Sequence, residues 1–306
     1  MSHAQSPTKY ATGIRLGYYL ASLSEKERFD APLRYEGYLT FVSSNTIIIG
    51  SPEVKGRFML YELLLGELAS GGRVVLVHMN HELPPPNFCP SPICWDGIGA
   101  KFINVAEECY QDPDPVFTVI DLSGLPKINL SGFNQYAWER VERIIQALPN
   151  DGRPTVIAFE DFDEAMMASM TGECDALGII DFIESLRCDH GARIITKVMS
   201  AEHILNSSLG RFIYESSPTR LITTRGYDNV LYAPEVIGLT TPEEQKLYEE
   251  LCRDYEVETK FLACAPGVSP TILEMNLEKG EDYAFVQGKA PFPQNLITPE
   301  FLPKNF

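Results

Sequence analysis

Short continuous apolar runs recur along this chain, separated by stretches with helical spacing. Tyr38 to Ile49 reads as extended, rich in Thr, Val and Ile, and closes on Thr46-Ile47-Ile48-Ile49. Four further runs have the composition of buried strands: Val74 to Val77, Val116 to Ile120 (ending at Asp121), Thr155 to Phe159 and Ala192 to Thr196. Thr219 to Thr223 is another strand candidate. Helical spacing covers Gly56 to Leu68, stopping near Ser70-Gly71-Gly72, and returns over Trp138 to Leu148, Ile179 to Arg187 and Ala201 to Leu205. Tyr10 to Asp30 mixes apolar and charged residues and is predicted as a helix. Thr241-Pro242-Glu243-Glu244 is a capping box with proline at the first helical position, starting a helix that runs to about Asp254. Phe261 to Cys264 and Thr271 to Met275 flank Pro266-Gly267 as a hairpin. Apolar runs alternating with helices predict an α/β fold whose mostly parallel sheet is covered on both faces. One domain over 1–289 is expected, with a proline-rich irregular loop at 83–115 and an extended tail at 290–306.

Composition narrows the classes. The chain has 306 residues, is 44% hydrophobic and 10% aromatic, and so can bury a sizeable core. A formal net charge of -17 argues against a broad nucleic-acid surface, which needs clustered Lys and Arg. No apolar stretch approaches the roughly 20 residues that span a bilayer, so no membrane insertion is expected. Residues 1–9 are polar and lack the apolar core of a signal peptide. Seven scattered cysteines fit a reducing cytoplasm better than a disulfide framework.

The most informative segment lies between Ile49 and the helix after it. Gly50-Ser51-Pro52-Glu53-Val54-Lys55-Gly56-Arg57-Phe58 occupies the strand–loop–helix address of a phosphate-binding P-loop. Aligned on Gly56, the chain has Ser51 for the first glycine, Arg57 for the lysine and Phe58 for the hydroxyl residue that ligates magnesium. Pro52 also removes a backbone donor from a loop whose N–H groups should cradle phosphate. Either an NTPase has lost its chemistry or the likeness is accidental.

The order of the later parts brings in a resemblance. Asp151-Gly-Arg-Pro-Thr-Val-Ile-Ala-Phe-Glu-Asp, then Ser185-Leu-Arg-Cys-Asp-His-Gly-Ala-Arg-Ile-Ile, resemble the type IV secretion and conjugation ATPases of the FtsK–HerA superfamily. Met199-Ser-Ala-Glu-His-Ile-Leu-Asn-Ser-Ser-Leu-Gly, Ser217-Pro-Thr-Arg-Leu-Ile and Gly238-Leu-Thr-Thr-Pro-Glu-Glu continue it, over residues 45 to 280. The resemblance implies a RecA-like sheet, with the loop at 83–115 in place of the family's helical insertion. It further implies that Ser51, Lys55, Gly56, Arg57 and Phe58 stand in a degenerate phosphate loop, and that Glu160 and Asp161 stand where the family has Asp then Glu. Met199 takes the place of its polar sensor, and Arg187 the region that offers an arginine to a neighbouring subunit. Reversing the two acids displaces each carboxylate by about one methylene, which is costly where phosphoryl transfer depends on positioning. The implied protein is a catalytically inactive ATPase-like subunit of a secretion or conjugation machine. It would act as scaffold or regulatory partner, in a homo-oligomer or beside an active ATPase. No cofactor is expected, and ATP with magnesium would bind weakly at most. The alternative within the family is an active motor that uses Arg57.

One further cluster carries metal chemistry. His78-x2-His81-x7-Cys89-x4-Cys94 collects four zinc-competent side chains, though its spacing fits no common zinc finger and His78 directly continues a strand run. A zinc-stabilised interaction module is therefore a third reading. His190 and His203 come with no recognisable nucleophile pattern, and the acids Asp96, Asp121 and Glu160 to Glu164 read as solvated strand-end or loop residues unless a cation gathers them.

Overall fold

A computed structural model describes residues 14–19, 36–39, 45–50, 59, 60, 63, 64, 67, 72–79, 100–106, 113, 116–122, 125, 133–223, 234, 237–253, 260–265 and 268–274. Eleven strands form one sheet: β1 (Ile14–Tyr19), β2 (Glu36–Leu39), β3 (Thr46–Ile49), β4 (Arg73–His78), β5 (Lys101–Asn104), β6 (Phe117–Asp121), β7 (Thr155–Glu160), β8 (Arg193–Val198), β9 (Thr219–Ile222), β10 (Lys260–Ala265) and β11 (Val268–Glu274). Six described helices accompany them: α1 (Gln135–Gln146), α2 (Asp163–Thr171), α3 (Ala176–His190), α4 (Ala201–Asn206), α5 (Ser208–Ser216) and α6 (Pro242–Arg253). Positions 59, 60, 63, 64 and 67 are also helical, as the spacing after the degenerate loop predicts.

The strand order is β2-β1-β11-β10-β9-β3-β8-β7-β4-β6-β5. From β9 to β5 every pairing is parallel, while β10, β11, β1 and β2 join antiparallel. β3 is central, held between β8 and β9. The chain leaves β3 toward β4, three places away, and leaves β8 in the opposite direction across β3 to β9. In open α/β sheets such a divergence marks the ligand-binding crevice, which here falls at the carboxyl ends of β3 and β8.

The parallel strands are apolar on both faces because both are covered. Ile47, Ile48 and Ile49 are all fully buried, as are Met59, Leu60 and Leu64 of the first helical stretch. On one face, Trp138 of α1 packs edge-on to Phe182 of α3, with ring centroids 5.6 Å apart, and lies 6.0 Å from Phe159 of β7. Phe159 in turn meets Phe162 at 5.2 Å. These two rings anchor the chain on either side of Glu160 and Asp161. Local caps agree with the sequence. Asn134 accepts from Ala137 N–H at the start of α1, and Thr241 and Glu244 exchange bonds of 3.1 and 3.0 Å to close the capping box of α6.

Three expectations change. Within 10–30, residues 14–19 are strand β1 rather than helix, paired with β11 and β2. Ile14, Leu16 and Tyr18 alternate with Arg15, Gly17 and Tyr19, a period-2 signal that two flanking strands convert into pairing. The stretch 38–49 is not one extended element, since β2 ends at Leu39 and pairs with β1, far from β3 across the sheet. The loop at 83–115 contains an edge strand, β5, in register with β6 from Lys101–Thr118 to Asn104–Asp121. Its four residues are too few to show a period. The helices α2 and α5 lie where no element was expected. The tail at 290–306 is outside the described residues.

Candidate functional site

Gly50 ends β3 at the crevice. Its N–H donates to Val198 O at 3.0 Å, and its φ of +143° is one that side chains rarely adopt. A Cβ there would fall 1.5 Å from Thr223 Oγ1, so glycine alone lets β3 and β9 close at this level. Met199 follows β8 directly, beside Gly50. The remainder of the phosphate-loop positions, Ser51, Lys55, Gly56, Arg57 and Phe58, lie outside the described residues.

The acidic turn is fully resolved. In-register neighbours share a face of the sheet, so Ile48 pairs with Lys197, and His78 pairs with both Glu160 and Asp121. Glu160 comes one step beyond the Phe159–Thr196 pair, level with Lys197. Its carboxylate is buried, with Oε2 2.9 Å from His78 Nδ1. Asp161 turns the chain in the left-handed region, φ 58°, where Asp is among the tolerated residues. Phe162 N–H then returns to Lys197 O at 3.0 Å. This geometry lays the Asp161 carboxylate against the ammonium of Lys197, and both side chains are 0% exposed.

Asp163, also fully buried, holds the end of β8. Its Oδ2 accepts from Met199 N–H at 2.5 Å, while its Oδ1 accepts from Ser200 N–H at 3.0 Å and lies 2.8 Å from His203 Nδ1. The hydrogen bond to Asp163 pushes His203 above its ordinary value of 6.5, outweighing burial, and the charges of Asp163, Glu202 and Glu164 act the same way. A raised folded-state value means the imidazolium contributes stability that is complete below about pH 6.5 and is lost as pH rises through the raised value. Urea midpoints of the wild type are therefore expected to fall between about pH 6 and pH 9 by more than those of His203→Gln. Parallel profiles would contradict this.

Arg187 sits apart. It is in the last turn of α3, just before β8 begins, half-buried at the amino edge of the sheet. The six residues of β8 put it roughly 20 Å from the crevice, so it cannot serve the site of its own chain. Of the zinc candidates, His78 ends β4 against Glu160, and His81, Cys89 and Cys94 lie outside the described residues. Among the described residues no group of three His, Cys, Asp or Glu side chains is arranged to hold a metal, and no helix is long and apolar enough to cross a membrane.

Sequence reasoning overlooked Lys197, and it named Asp163 and His203 without connecting them. Lys197 left one signal, a lone charge in the otherwise apolar stretch Ile194-Ile195-Thr196-Lys197-Val198. The Asp163–His203 pair left none, because its members stand 40 positions apart.

Strand order, switch point and acidic turn together define a RecA-like α/β fold of mostly parallel strands. No family profile matches this chain, and no curated protein matches it by sequence. Solved structures do. VirB4 of Thermoanaerobacter pseudethanolicus aligns over 78% of this chain and 90% of its own at 12% identity, with a TM-score of 0.54. EccC of Thermomonospora curvata (ATPases 2 and 3) aligns over 90% of this chain and 43% of its own at 13% identity, TM-score 0.49. The pCW3 conjugation coupling protein TcpA aligns over 84% and 69% at 13%, TM-score 0.45. At these identities the VirB4 likeness establishes a common fold.

Proposed function

We propose that this chain is a catalytically inactive ATPase-like subunit of a secretion or conjugation machine, a scaffold or regulatory partner for an active ATPase. The observation that carries the reading is the acidic turn. Phosphoryl transfer in this fold needs one carboxylate to orient the metal's water and another to accept a proton from the attacking water. Here Asp161 is sequestered against Lys197 and Glu160 against His78, each with its carboxylate out of solvent. The sequence adds independent losses: Arg57 for lysine, Phe58 for the hydroxyl, Met199 for a polar sensor. The fold shared with VirB4 supports the type of machine.

Arg187 fits the same proposal. Its distance from the crevice of its own chain supports a role toward another subunit, in a homo-oligomer or beside an active partner. The purified chain, given ATP and magnesium, is expected to release phosphate no faster than a Glu160→Gln, Asp161→Asn double variant. Turnover that disappears in that variant, or in Arg57→Ala, would favour a working motor. One zinc per chain on metal analysis would favour the interaction module built on His78, His81, Cys89 and Cys94.

Magnesium, which this fold normally uses, does not suit the residues present. The ion requires near-ideal octahedral oxygen ligation at about 2.0–2.1 Å and keeps several waters. Phe58 offers no oxygen, Asp161 lies in a dry contact with an ammonium, and Asp163 is committed to the end of β8.

A further inference from the structure

We infer that the Lys197 ammonium is the resident cation of this edge, standing where a divalent ion would, and that it closes the edge to magnesium. The inference rests on the reading of the acidic turn as a former nucleotide site, and it names the residue that keeps an ion from the Glu160 and Asp161 carboxylates.

Lys197 is placed by its strand. β8 is the neighbour of both β3 and β7, and Lys197 lies level with Ile48, two positions before Gly50. Its side chain shares the sheet face of Glu160 and His78 and ends on the Asp161 carboxylate. An ammonium has three donors and no acceptor, so it can neutralise a carboxylate but cannot ligate a metal. Two cations within reach of one carboxylate repel, most strongly where water is excluded, and both Lys197 and Asp161 are 0% exposed. A hydrated ion would have to enter this buried contact and displace a covalently tethered competitor.

Removing the Lys197 charge should therefore create a divalent-cation site from Glu160 and Asp161. The test uses the full chain, stripped with EDTA and titrated with manganese, and reads both the melting temperature and the electron paramagnetic resonance of free Mn²⁺. Wild type is expected to show no saturable response. Lys197→Ala is expected to melt lower in EDTA and to gain about 3 °C or more with saturating Mn²⁺, since an ion that binds only the native state stabilises it. Lys197→Ala combined with Asp161→Asn should lose that gain. If Lys197→Ala does not fold, Lys197→Gln, which keeps the length and drops the charge, carries the same test. A saturable wild-type response equal to the variant's, or a folded neutral variant that ignores Mn²⁺, overturns the inference. Wild type that binds Mn²⁺ yet hydrolyses nothing overturns this inference alone, whereas hydrolysis by wild type overturns the inactive reading.

Discussion

Lys197→Met is expected to lose about 3–5 kcal/mol of unfolding free energy, because it leaves the Asp161 carboxylate buried without its cation. Neither member of the pair has exposed side-chain surface, so solvent cannot relieve the remaining charge. Asp161→Asn should cost less, since an amide can still accept from the ammonium. Lys197→Met combined with Asp161→Asn, which removes both charges and keeps a residue tolerated at φ 58°, should cost less than the two single changes added together. Urea unfolding of the four proteins gives the coupling directly. Single variants within about 1 kcal/mol of wild type would show that the contact contributes little, as exposed ion pairs do.

Gly50→Ala is the second large effect. The new methyl would stand 1.5 Å from Thr223 Oγ1 and 2.8 Å from Thr223 Cβ, on a residue with φ +143°. Strain in that backbone region and overpacking each cost about 1–3 kcal/mol, so a loss of about 3 kcal/mol or more is expected. Thr223 belongs to the same closure, donating from N–H to Ile49 O at 2.9 Å. In a Thr223→Gly background the clash disappears and only the backbone term remains, so Gly50→Ala should cost measurably less there. Equal losses in both backgrounds would show that the crowding with Thr223 is absent in solution.

The parallel half of the fold was legible because its strands are buried on both faces and therefore read as unbroken apolar runs. β4, β6 and β7 were bounded by sequence to within a residue or two of their observed limits. The antiparallel half was not. β1 and β2 owe their conformation to partners more than 200 positions away or to each other, and residues 14–19 carry enough charged neighbours to suggest a helix. The acidic turn was visible as Glu160 and Asp161, but its meaning was not. Sequence order placed two carboxylates at a strand end, while the ammonium that engages one and the imidazole that engages the other come from β8 and β4. Pairings set by strand register leave no local signature in the chain.

Crystals grown with an ATP analogue and MnCl₂, measured at the manganese edge, address the central claim most directly. The account predicts no anomalous peak at the Glu160 and Asp161 carboxylates, with Lys197 still against Asp161. A manganese peak bridging either carboxylate, with the Lys197 side chain displaced, would contradict it.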